Sequence, residues 1–373
     1  MVAHRRILAA SLLLLPTAAA AALAQVAPRQ WPPVFEFVQV VPNVYVTVEP
    51  QNSTGLVHGN SVFVINDDDV FVLDANHTPV AARATIAQLR AVTNKPVRTL
   101  MYSHWHNDHN LGAVAFAEAY PGLRIISTDS TRDDLLHILV EPTSKRAADY
   151  YPKRVAAYDS MFASGHDLAG RPLTPWRRVQ MADFVAGFRN YYAPAASSTR
   201  YLLPTETFGD RMTIYDGSRE IDLLSLGRAN TRSDGIVYLP KEKVVMTGDI
   251  VVFPVPYAPV AHTTEWLQAL RTLKSLGAEH IVPGHGPVMH DYAFIDRLIS
   301  TLSAIIDQVS TSARDGLSLE DAKQRLDVER FRVAFTHGDR VLDDDFTEFV
   351  GDVADVSYRE AKAAAASAAA TAR

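Results

Sequence analysis

His104-Trp105-His106-Asn107-Asp108-His109 places three histidines and an aspartate within six residues, directly after the apolar run Val97 to Tyr102. Neutral imidazole and carboxylate are the side chains that bind a borderline divalent cation such as zinc. Positions two, four and five residues beyond His104 cannot all share its face of a strand or helix. A loop leaving a strand can aim His104 and His106 at one point, and Asp108 and His109 at another. The spacing predicts two adjacent metal sites and metal-assisted chemistry.

Short elements surround this loop. Phe37 to Val48 reads as a strand pair turning at Pro42-Asn43. Ser61 to Ile65 and Val70 to Leu73 are apolar strands joined by the turn Asn66-Asp67-Asp68-Asp69. Thr78-Pro79 opens a helix that runs to about Val92. Val97 to Tyr102 is a strand, Leu111 to Tyr120 a helix and Arg124 to Thr128 a strand. Strand character returns at Met212 to Tyr215, Glu220 to Ser225, Ile236 to Leu239, Val244 to Thr247 and His280 to Val282. Thr264 to Leu276, Asp291 to Ala313 and Leu319 to Leu326 read as helices, and the alanine-rich tail from Glu360 as a frayed helix or disordered chain. This series implies a layered αβ structure. Residues 129–205 interrupt it, helical over Asp133 to Leu139 and Ser144 to Met161, with Tyr150, Tyr151, Tyr191 and Tyr192 prominent. That stretch is either an insertion covering the core, its tyrosines at the wet edge, or a lid that selects substrate.

At 373 residues and 47% hydrophobic, the chain can bury a large core as one domain, with or without additions. Arg5 and Arg6, the apolar run Ile7 to Leu15 and the small residues ending Ala22-Leu23-Ala24 describe a cleavable signal peptide over residues 1–24. The expected location is secreted or periplasmic. An uncleaved anchor is the alternative, but Pro16 and the run of alanines favour cleavage before Gln25, leaving no stable membrane anchor. With no cysteine, thiolate ligands, cysteine nucleophiles and disulfides are excluded. The formal charge of −6, or −8 once Arg5 and Arg6 are removed, comes without a basic stripe. That speaks against nucleic acid and for a small-molecule substrate.

Further ligand types follow other strands. Asp249 lies in Thr247-Gly248-Asp249 and His285 in Pro283-Gly284-His285-Gly286, while Asn230 and Asp234 lie between two strands. Polar residues at the same ends of successive strands converge above one sheet edge, with glycines permitting close approach. Across Val41 to Pro287 the sequence resembles the metallo-β-lactamase superfamily, with residues 129–205 as an enlarged insertion. The resemblance rests on His-x-His-x-Asp-His at His104, His106, Asp108 and His109, on Gly248-Asp249, on Gly284-His285, and on Asp74 closing an early strand. It implies a four-layer αββα sandwich over residues 25–290, beyond which the sequence pattern itself gives a helical extension over 291–359 and an alanine-rich tail over 360–373.

The resemblance also implies a metal set. Site one takes His104, His106 and a histidine from the middle motif. Site two takes Asp108, His109 and His285, and Asp249 bridges both. One or two Zn2+ ions per chain would then hydrolyse an ester, thioester, lactone, lactam or phosphoester bond through metal-bound hydroxide. Asp108 would be the catalytic carboxylate, positioning that hydroxide or accepting its proton.

The middle motif departs from the family pattern Gly-x-x-His-Thr-x-x-Asp. Here it reads Gly227-Arg228-Ala229-Asn230-Thr231-Arg232-Ser233-Asp234, with asparagine where the ligand histidine belongs. An amide oxygen is a poor zinc ligand beside imidazole, so site one is expected to bind more weakly. Asn230 is then a weak ligand or a contact for substrate. A non-catalytic or weakly active metal- or ligand-binding protein is the alternative function. A β-lactamase proper and a mononuclear-iron oxidoreductase are further ones, the last opposed by Asn230 itself. Asp74 either orients a ligand imidazole or caps a helix, and Asp234 has a structural role. Trp105 packs under the loop or at its rim. His137, His166, His280, His290 and His337 read as ordinary surface or core residues, and His58, His77 and His262 as loop residues near strand ends.

Overall fold

Along the central strands, successive side chains serve two different cores. In Val70–Leu73, Phe71 and Leu73 enter one cluster while Val70 and Val72 enter another; in Ser61–Ile65, Val62 and Val64 separate from Phe63 and Ile65 in the same way. Period-two alternation explains the split, and burial of both faces explains why these strands read as unbroken apolar runs. The computed structural model describes residues 35–50, 57–167, 170, 172–189 and 201–371. The expected signal peptide at 1–24, Tyr191 and Tyr192 fall outside these, as do the side chains of Tyr150 and Tyr151.

A seven-stranded sheet runs in chain order: β1 Glu36–Val41, β2 Val44–Val48, β3 Ser61–Ile65, β4 Val70–Leu73, β5 Val97–Met101, β6 Arg124–Thr128 and β7 Glu206–Phe208. Pairing is antiparallel up to β4 and parallel from β4 to β7. A five-stranded sheet contains β8 Arg211–Asp216, β9 Arg219–Ser225, β10 Gly235–Leu239, β11 Val244–Met246 and β12 His280–Val282, ordered β12-β11-β10-β9-β8. Within it β11 and β12 are parallel. Val46, Val64, Phe71 and Met101 of the first sheet meet Leu223, Val237, Leu239 and Met246 of the second in a shared core.

Helices cover both outer faces. On the first lie α1 (Pro79–Val92), α2 (Asn107–Asn110) and α3 (Ala113–Ala119), with Ala82, Ile86 and Leu89 of α1 and Phe116 of α3 packed onto the sheet. Thr78 caps α1, its hydroxyl accepting the Ala81 N–H at 3.1 Å. The insertion follows as α4 (Asp129–Asp134), a π-helical turn (Leu135–Val140), α5 (Glu141–Ser164) and α6 (Pro175–Gly187). Tyr158, Met161, Val185 and Phe188 of the insertion pack with Leu111, just beyond the histidine-rich loop. The second face carries α7 (Thr263–Ser275), α8 (Ala293–Arg314), α9 (Leu319–Gln324), α10 (Glu329–Thr336) and α11 (Arg340–Thr371). Trp266 is fully buried there and its indole N–H donates to the Ile250 carbonyl at 2.9 Å. Truncating such a side chain costs about 3–5 kcal/mol. The result is the expected αββα sandwich.

The helices α6, α10 and α11 have no individually delimited counterpart in the sequence reading. In α11, Phe346, Phe349, Val353 and Ala354 form a stripe at helical spacing that enters the second helical layer. The chain from Glu360 continues that helix to Thr371 instead of breaking, because alanine adds a turn to an existing helix at little cost. The insertion is also fastened to α11: Arg177 Nη1 meets Asp345 Oδ1 at 2.6 Å and its other terminal nitrogen pairs with Glu348. Among the described residues, no helix is long and apolar enough to cross a membrane.

Candidate metal centre

Asp74, at the C-terminal end of β4, occupies the left-handed region at φ 63°. Its Oδ1 accepts the Ser103 N–H at 2.7 Å, and its Oδ2 lies 2.7 Å from Ser103 Oγ and 2.8 Å from His109 Nδ1. Ser103 Oγ is also 3.0 Å from His104 Nδ1. A hydroxyl donates one proton. With that proton given to the carboxylate, Ser103 accepts from His104 Nδ1–H. In their neutral forms both His104 and His109 keep the proton on Nδ1 and turn Nε2 to the cleft, the arrangement that makes imidazole a metal ligand. The helix-capping alternative for Asp74 gives way, since Thr78 performs that task.

The ligand atoms form two groups: His104, His106 and Asp249, and Asp108, His109 and His285, each within 4.8 Å. His104 Nε2 is 2.9 Å from His106 Nδ1, and His109 Nε2 is 3.2 Å from His285 Nε2. Asp249 stands between the groups, with Oδ2 3.5 Å from His104 Nε2 and Oδ1 3.2 and 3.4 Å from the Nε2 atoms of His109 and His285. Asp108 Oδ2 lies 3.1 Å from His285 Nε2. Asp249 Oδ1 is buried yet accepts no hydrogen bond, an expensive condition unless a cation takes the lone pair. Converging imidazoles, two ionised carboxylates and this orphaned oxygen fit a borderline divalent ion.

Charge in the site is strongly partitioned. Burial, reinforced by His109, holds His104 well below the usual histidine range, and burial also lowers His106. At His109 burial opposes charge, but Asp249, Asp108 and Asp74 outweigh it and raise the imidazole well above its ordinary value. His285 is raised in the same manner by Asp249 and Asp108. Against burial, His109 draws Asp108 and Asp249 well below the carboxylate range.

Loops from both sheets meet over these residues. The Asn60 N–H donates to the Gly284 carbonyl at 2.7 Å, and its amide donates to the carbonyls of Pro283 and Gly286, each at 2.9 Å. A Cβ at Gly59 would lie 2.5 Å from His109 Cε1, and one at Gly284 2.1 Å from Asp249 Oδ1. Both positions require glycine by close approach. From the insertion, Tyr201 donates its hydroxyl to Asn107 Oδ1 at 2.9 Å, touching the metal loop itself.

Asn230 is 1% exposed; its amide donates to the Tyr257 carbonyl at 2.6 Å, which leaves a buried Oδ1 without a partner. The Tyr257 ring lies 6.4 Å from that of His106, and Trp105 contacts His106 edge-on at 4.5 Å between centroids, so both rings border the same imidazole. Asp234 holds the middle motif's turn, accepting the Thr231 N–H at 2.6 Å, and burial pushes its carboxyl up to about 7. His58, His77 and His262 join neither ligand group. Ser103, Gly59, Asn60 and Tyr257 were not singled out from the sequence, although Ser103 directly precedes the first histidine.

The sequence profile of the metallo-beta-lactamase superfamily matches residues 54–285. The chain belongs to that superfamily. Superfamily membership accords with the ligand groups at the carboxyl ends of β5, β11 and β12. The chain is 20% identical over 282 residues to a linear primary-alkylsulfatase of Pseudomonas sp. (strain ATCC 19151), covering 72% of this chain and 50% of that one. It thus spans about half the length of that curated relative. Among solved structures, the stereoselective inverting sec-alkylsulfatase Pisa1 from Pseudomonas sp. matches with a TM-score of 0.59 and 14% identity, over 88% of this chain and 50% of that chain. The DIM-1 metallo-beta-lactamase matches with a TM-score of 0.47 and 17% identity, over 73% and 98% respectively. At 14% identity the likeness to the sec-alkylsulfatase structure concerns the fold alone.

Proposed function

We propose that this protein is an exported zinc-dependent hydrolase of small molecules that cleaves an ester or related bond. The observation carrying the proposal is Asp249, whose two carboxylate oxygens face the two ligand groups and whose buried Oδ1 has no hydrogen bond. His104, His106, Asp108, His109, Asp249 and His285 would hold the metal. Bound there, zinc supplies a Lewis acid and lowers the pKa of coordinated water towards neutrality.

The protein's own groups do the rest. Asp74 fixes the tautomers of His104 and His109, so that each offers Nε2. Asp108, with 19% of its side chain exposed against 9% for Asp249, is the more open carboxylate and takes the proton of the attacking water. Asn230 Oδ1 accepts a hydrogen bond from that water or from substrate. Tyr257, 58% exposed, and Trp105 border His106 and suit a substrate with an apolar group. The alkylsulfatase relative adds sulfate esters to the ester, thioester, lactone, lactam and phosphoester bonds raised by the sequence. The basic, apolar and small-residue order of residues 1–24 supports export.

Purified protein assayed with alkyl sulfates, carboxylic esters, thioesters, lactones, β-lactams and phosphoesters tests the reading, alongside elemental analysis of metal per chain. Hydrolysis of one class, abolished by a chelator and restored by zinc, is the expected result. Metal-loaded protein inert towards every class favours the binding-only alternative, for which the substitution of asparagine at position 230 is the supporting observation.

A further inference from the structure

His280 and His290, which read from sequence as ordinary residues, face one another across a short antiparallel bridge. Ile281 and Met289 exchange both backbone hydrogen bonds at 2.8 Å, making the flanking positions 280 and 290 direct cross-strand neighbours. The His280 backbone is held from its other side, its N–H donating to the Lys243 carbonyl at 3.1 Å. The two Nδ1 atoms are 3.0 Å apart and the rings stand at 89°. His290 is exposed and His280 partly so.

We propose that this pair is a second, peripheral metal site that takes copper(II) or nickel(II). With metal–nitrogen bonds of about 2.0–2.1 Å, a separation of 3.0 Å subtends about 94° at an ion placed between the nitrogens. A tetrahedral ion requires about 3.3 Å with the same bonds. The near-right angle is that of cis positions in tetragonal coordination, which imidazole-bound copper(II) and nickel(II) favour over zinc. Among the described residues no third histidine or carboxylate joins the pair as a ligand group, so water completes the shell. The neighbouring carboxylates have other partners: Glu279 pairs with Lys243 at 2.6 Å, and Asp291 Oδ1 accepts the Ala293 N–H at 2.8 Å. His280 begins β12 and His290 lies on the bridging segment beyond His285, and neither belongs to the ligand groups of the first site.

The test is titration of zinc-loaded protein with copper(II) alone, followed by calorimetry and by electron paramagnetic resonance. The expected result is an added copper equivalent whose spectrum carries coupling to two imidazole nitrogens, without release of the zinc already bound. His280→Gln and His290→Gln should each weaken that equivalent by at least about tenfold, the scale on which even supporting partners of a metal ligand act. Each variant should retain one-nitrogen coupling at high copper, and thermal unfolding establishes that both remain folded. No added equivalent, or one that persists in both variants, would overturn the proposal and leave the rings as a hydrogen-bonded pair only.

Discussion

Asp74 Oδ2 lies 2.8 Å from His109 Nδ1, and the same carboxylate reaches His104 through Ser103. One buried side chain thereby sets the orientation of a histidine in each ligand group. Asp74→Asn cannot accept at both oxygens, so zinc affinity is expected to fall about 10–100-fold. Competition against a chromophoric chelator measures this, with circular dichroism to verify the fold. Unchanged affinity would remove Asp74 from the positioning role.

Metal uptake should release protons. In the metal-free protein, His109 is raised well above 6.5 by the surrounding carboxylates and His285 is raised with it. Both must surrender a proton to bind metal, so zinc affinity increases with pH. Calorimetry in two buffers of different ionisation enthalpy reads the protons released. The raised folded value also fixes the sign for stability: the His109 contribution to the metal-free fold is fully present below its unfolded 6.5 and is lost as pH rises through the folded pKa.

Asp234 gives a stability effect in a different window. Burial raises its carboxyl from 3.8 to about 7, so the folded protein binds the proton more tightly. Metal-free stability should therefore decline as pH rises from about 4 to about 7 through this group. Asp234→Asn should flatten that part of the profile in denaturant titrations, while losing some stability at low pH from a weaker acceptor for Thr231. A slope identical to the parent protein would show that Asp234 is ionised throughout.

Two glycines should be intolerant for a local reason. Gly59→Ala drives a methyl into His109, and Gly284→Ala drives one into Asp249. Both variants should lose bound metal while keeping their secondary structure. Gly351, inside α11, has nothing within 4 Å of its would-be Cβ. Gly351→Ala should stabilise by about 0.5–1 kcal/mol. Metal analysis and thermal unfolding of the three variants separate site packing from general effects on the backbone.

Asn230→His should strengthen binding of a second metal equivalent, because imidazole replaces an amide oxygen as the donor. Stepwise zinc titration provides the readout. If affinity is unchanged while hydrolysis falls, the amide serves substrate or water instead of metal.

Much of this architecture was legible in short stretches. The limits of α1 followed from Thr78-Pro79, and those of β3 and β4 from apolar runs separated by Asn66 to Asp69. The six ligand-type residues also stood out, since few side chains bind metal and each follows a strand. The partners that orient them were harder to see. Ser103 is chemically ordinary until Asp74 lies beside it, and Asn60 acquires its role from carbonyls more than 220 residues away. In α11 the alanines drew attention, whereas its decisive stripe, Phe346 to Ala354, becomes evident only against the second helical layer.

The hydrogen bonds from Asn60 to the loop of His285 join chain segments that belong to opposite sheets. The ligands are divided likewise, His104 to His109 following β5 and Asp249 and His285 following β11 and β12. A chain whose halves have docked out of register cannot assemble the whole donor set. Metal occupancy is thus a gauge of correct assembly, and the free energy of ion binding acts as a clasp across the seam between the sheets.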